Sequence, residues 1–144
     1  MIFDAASILL KSLIIWFMLS AALAGCSQEI PTSQTVLESG RLYREKDMKP
    51  FTGYVVGKTR GGYRDVVCSY KKRYKEGIQN GVTKYWYPDG TLESVEPYKD
   101  GRIDGIVVRY YPNGRLKARM HLVNGERGGE KGEAYYSPDG KLIR

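Results

Sequence analysis

The chain has one histidine, two cysteines and three phenylalanines, and after residue 30 no stretch holds a helical period for three turns. A lone imidazole, His121, leaves little from which to build a metal site or a nucleophile–base–orienter set. No catalytic residue, metal or cofactor is therefore expected, and the chain reads as a non-enzymatic protein. The missing helical period excludes helical bundles and alternating strand–helix folds. Carboxylates are scarce as well: 16 Asp and Glu face 23 Lys and Arg, for a net charge of +7. Such a surface favours anionic lipid, acidic wall polymers or acidic protein partners.

Long apolar runs are also few. The one that stands out is Ser12–Cys26, preceded by Lys11 and too short to span a bilayer comfortably. Its end, Leu23-Ala24-Gly25-Cys26, resembles the lipobox of bacterial lipoprotein precursors. That resemblance implies a signal helix over 1–25, cleavage before Cys26 and a lipidated Cys26 thiol. Ser27 after the cysteine implies an outer-membrane address facing the periplasm. Ten residues stand before Lys11, which suggests a misassigned start codon. With Cys26 acylated, Cys68 has no partner for an intramolecular disulfide. Export also argues against a nucleic-acid partner despite the basic charge. Ser27–Gly40 has no period, so residues 26–40 are expected to form a lipid-anchored flexible tether.

What the chain has in quantity is glycine, tyrosine and repetition. Gly77, Gly101 and Gly125 recur every 24 residues, as do Gly81, Gly105 and Gly129. Pro88-Asp89-Gly90 matches Pro112-Asn113-Gly114 at the same step, and Pro138-Asp139-Gly140 follows after 26. Proline fixes φ and glycine accepts φ > 0, so each triplet sets a turn. Between turns lie short runs rich in Val, Ile, Tyr and Trp, which suit a pleated surface. A single hairpin is marginal in water, so the copies must pair side by side. The expectation is an all-β fold: an elongated antiparallel meander of repeated hairpins over 41–144. Its copies fall at about 42–77, 78–101, 102–125 and 126–144.

The recurring unit, best seen in Tyr98–Gly105 and Arg109–Lys117, resembles the variant MORN repeat and, more narrowly, bacterial YwqK-type proteins labelled antitoxins. Lys49-Pro50-Phe51-Thr52-Gly53 is similar to the opening copy of that family. The resemblance implies a repeat scaffold that binds a protein, in an antitoxin or immunity role. A second reading is an envelope scaffold resting on anionic lipid or peptidoglycan.

All twelve tyrosines lie after residue 42. Strand alternation separates Tyr85, Arg109 and Tyr135 from Trp86, Tyr110 and Tyr136. Both rows cannot be buried in a one-layer sheet. The Tyr85–Arg109–Tyr135 row is expected to be the exposed, partner-binding one, since Tyr, Trp and Arg anchor protein interfaces. Lys71, Lys72 and Arg73, the densest basic run, read as a solvated strand edge. Cys68 falls where the next two copies have Leu92 and Leu116, and is expected to pack.

Overall fold

The computed structural model describes residues 27–61, 66–128 and 132–144. Three long hairpins make most of it: β5 (Gly53–Gly61) with β6 (Val66–Lys75), β8 (Gly81–Trp86) with β9 (Leu92–Lys99), and β11 (Gly105–Tyr110) with β12 (Leu116–Val123). They pair in chain order into one sheet, extended beyond β12 by β13 (Glu126–Arg127) and β14 (Ala134–Tyr135). Two short pieces, β7 (Ile78–Gln79) and β10 (Arg102–Ile103), fold back on β6 and β9. The all-β hairpin array expected from the repeat is the fold that forms.

Two kinds of turn alternate, and each repeats its hydrogen bonds. At Pro88–Gly90, the Gly90 N–H donates to the Tyr87 carbonyl (2.9 Å) and the Tyr87 N–H to the Thr91 carbonyl (2.8 Å). The same pair recurs around Tyr111 and around Ser137. Gly90, Gly114 and Gly140 sit at φ of 86°, 78° and 90°, as the triplets required. The other turns are two-residue loops with consecutive positive φ: Glu76-Gly77, Asp100-Gly101 and Asn124-Gly125. That pattern matches the twist of the flanking strands.

Residues 27–40 depart from the tether expectation. From Glu29 onward they are part of the fold: β1 (Glu29–Pro31) lies parallel to β5, so the main sheet is not purely antiparallel. A short 3-10 turn (Thr32–Gln34) leads to β2 (Thr35–Glu38), which with β3 (Arg41–Arg44) and β4 (Lys49–Pro50) forms a small second sheet. Ser39-Gly40, with φ of 48° and 77°, makes the same tight loop as the later repeats, so the first hairpin begins before residue 42. The physical reason is apolar. Ile30 is buried with Leu42, Phe51, Val55 and Tyr70 in the main core cluster, and Tyr74 and Tyr85 pack against it. The region 1–26, including the expected signal helix and Cys26, lies outside the described residues.

Candidate functional site

Register aligns one row across the whole sheet. Gly57 faces Tyr70, Tyr70 faces Tyr85, Tyr85 faces Ser94, Ser94 faces Arg109, Arg109 faces Ala118, and Ala118 faces Tyr135. Tyr85, Arg109 and Tyr135 therefore do share a face. The repeat sets this up twice, because positions 70, 94 and 118 are one 24-residue series interleaved with the other. Tyr70 was legible by that step, yet aromatic triplets before the proline turns draw attention elsewhere.

The exposure of the row differs from the expectation. Thr83, Ser94 and Val107 on its face are at most 1% exposed, while Val82 and Ile106 on the opposite face are 45% and 43% exposed. The Tyr85 row is thus on the more enclosed face: Tyr85 and Tyr135 are half-buried and Arg109 is exposed. The polarity of Thr83 and Ser94 conceals this, because both are buried. Gln79 Nε2 donates to the Thr83 hydroxyl at 2.8 Å, which removes the cost of burying it.

Around the row, aromatic and charged groups interlock. The Tyr70 and Tyr85 rings meet edge-on, centroids 6.2 Å apart, a favoured aromatic geometry. Lys72 Nζ stands 4.4 Å from the Tyr70 centroid and 5.9 Å from that of Tyr85. Burial lowers the Lys72 pKa, opposed by the Glu96 carboxylate. Glu96 is itself buried; it accepts from the Tyr98 hydroxyl at 3.3 Å and lies 3.7 Å from Arg109. Burial first, then Glu96, pushes the Tyr98 phenol up to about 12 and raises Tyr85 further. Glu96 is the neighbour of the row that the sequence does not mark, since its repeat partners are Lys72 and Met120.

Tyr85, Glu93, Ser94, Glu96 and Arg109 line a cleft of about 260 Å³ floored by Cys68. Cys68 is buried, as the repeat slot suggested. Burial, then Glu93, raises its thiol pKa, which keeps it protonated and poorly nucleophilic. Arg109 is held too loosely by Glu96 for a full hydrogen bond, so its forked donors can turn outward to a partner. His121 is half-buried, and no three His, Cys, Asp or Glu side chains among the described residues gather to hold a metal ion.

Lys71, Lys72 and Arg73 are not an edge. They belong to β6, which is paired on both sides, and they alternate between faces. Lys71 and Arg73 cover the Tyr54 ring at 4.6 and 5.4 Å, whereas Lys72 covers Tyr70 on the other face. The run is basic because two faces each place cations over tyrosine, not because the strand ends the sheet.

The MORN repeat variant model matches residues 79–100 and 103–124. These spans are β7–β9 and β10–β12, two adjacent copies of the same unit. No curated protein matches the chain.

Proposed function

We propose that this repeat array is a non-enzymatic binding module of the bacterial cell envelope, anchored through a lipidated Cys26 at the outer membrane and facing the periplasm. Its partner is a protein, captured on the face that carries Tyr85, Arg109 and Tyr135. The observation that supports this reading is the single transverse row in which those three side chains stand, beside a cleft with a loosely held guanidinium. Aromatic planes and an arginine within an otherwise enclosed surface are the ingredients of an interface anchor. The resemblance to YwqK-type proteins supports an antitoxin or immunity role, in which a tethered inhibitor gains local concentration where a toxin arrives. An envelope scaffold on anionic lipid or peptidoglycan is the second reading, favoured by the cations of the opposite face.

The test is partner capture from envelope extracts by the wild-type chain and by Arg109→Ala. Arg109 is exposed and pairs with Glu96 only at 3.7 Å, and Lys72 and the Tyr98 hydroxyl still face that carboxylate, so its loss should change thermal melting little. Capture should fall by tenfold or more, the loss expected for an interface anchor worth about 2 kcal/mol. Undiminished capture by a variant that melts normally would move the site off this face.

A further inference from the structure

The two faces of the sheet are chemically unlike. Opposite the Tyr85 row, one face receives Lys58 from β5, Lys71 and Arg73 from β6, Lys84 from β8 and Arg119 from β12. The register-paired positions of the six long strands place no carboxylate on it among the described residues. Glu29 of β1 does lie there, bonded to Lys71, and Glu126 of β13 sits at the far corner. Lys71 and Lys84 face each other directly across the β6/β8 pair. Like charges opposed in this way destabilise a sheet, and one carboxylate does not neutralise both. The same face exposes aliphatic Val82 and Ile106. Tyr54, Lys71, Val82, Lys84 and Trp86 line a shallow groove of about 460 Å³ on it.

We infer that this face rests on the phosphate-bearing headgroups of an anionic bilayer, with the Tyr85–Arg109–Tyr135 row turned away from the membrane. The inference rests on the anchoring proposed above. β1 begins three positions after Cys26, and an extended chain covers at most about 3.5 Å per residue. An acyl anchor there holds the start of β1, at one edge of the sheet, within about 10 Å of the headgroups, roughly one Debye length at physiological salt. The cations run from β5 to β12 rather than around one pocket, which a planar polyanion satisfies and a small ligand does not. Exposed aliphatic and aromatic side chains among lysines are the composition of surfaces that sit at a lipid interface. Each cation near such a surface strengthens binding by roughly fivefold.

Purified full chain is mixed with vesicles of phosphatidylcholine alone, or with phosphatidylglycerol added, and treated with a membrane-impermeant lysine-reactive ester. On the anionic vesicles, labelling of Lys58 and Lys84 should fall severalfold, while Lys141, 85% exposed, labels equally on both. Lys84→Glu with Arg119→Glu, both exposed positions, should abolish the protection of Lys58 without releasing the chain from the vesicles. Equal labelling of Lys58 and Lys84 on both vesicles overturns the assignment, as does protection of Lys72 in their place. Protection by soluble peptidoglycan fragments without vesicles would overturn it in favour of wall polymer. A chain that fails to float even with neutral vesicles loses the anchor, whereas one that floats but labels uniformly loses only the face.

Discussion

Two glycines separate the ways in which a missing side chain serves this fold. Gly114 sits at φ +78° with open space around it, and Gly105 at φ +127° with the Pro97 ring against it. Gly114→Ala should cost only the left-handed backbone penalty, about 1 kcal/mol. Gly105→Ala adds a Cβ 2.9 Å from Pro97 Cγ to a conformation that L-residues rarely adopt, and should cost about 2–3 kcal/mol. Urea denaturation of both variants gives the comparison, and equal midpoints would remove the close-approach argument. Tyr98 adds a pH limb. Its phenol is kept neutral by burial and by Glu96, with a folded pKa of about 12 against an ordinary value of 10. A raised folded pKa favours the native state fully below pH 10, and that contribution is lost as pH climbs from 10 to 12. The alkaline fall in melting temperature over that window should be shallower in Tyr98→Phe than in the wild type. Identical alkaline limbs would mean that the phenol titrates in the native state as it does in the unfolded one.

Between elements, the copies are fastened by a bond that the sequence only half announces. The Tyr87 hydroxyl donates to the Tyr110 carbonyl at 2.8 Å, and one copy later the Tyr111 hydroxyl donates to the Tyr136 carbonyl at 2.7 Å. Each tyrosine precedes its proline turn and reaches forward to the next turn. Tyr87 is buried, so Tyr87→Phe leaves a carbonyl without its donor and should cost about 1–2 kcal/mol. Thermal melting measures this, and a change within error would mean that water replaces the phenol. The turns from Glu76-Gly77 onward were legible, because Pro-Asp-Gly and Asn-Gly encode local backbone and need no distant partner, whereas Ser39-Gly40 was not. Face assignment was not. Alternation identifies which residues share a face, and it did so for Tyr85, Arg109 and Tyr135. Which face is enclosed depends on neighbours that polarity misreports, as buried Thr83, Ser94 and Glu96 illustrate. The edge reading of Lys71–Arg73 failed for a related reason, since composition cannot tell a solvated strand from a central one whose cations lie over tyrosine rings.

In the whole molecule the apolar core sits at one end, where β1, β3 and the residues around Phe51 close over β5 and β6. Nothing periodic marks 27–38, and Ile30, Val36 and Leu37 in a polar stretch give no pattern, which is why the segment read as a tether. Ile30→Ala should lower the stability of the folded chain by about 2–4 kcal/mol, as for other large-to-small core changes. A true tether would tolerate that substitution silently in a denaturant titration. The forward-reaching tyrosines have one more consequence, this time in time rather than space. β5 pairs with β6, β6 with β8, β8 with β9, and so on, and each latch spans 23 or 25 residues. Loop closure over such distances is fast, and low contact order favours rapid folding. A chain emerging amino-terminus first, from a ribosome or through a membrane pore, can therefore complete its core end and add each later hairpin to a finished edge. Only β1 has to wait, for β5; from β5 onward each long strand pairs with the long strand just before it, so the growing edge is closed one strand at a time.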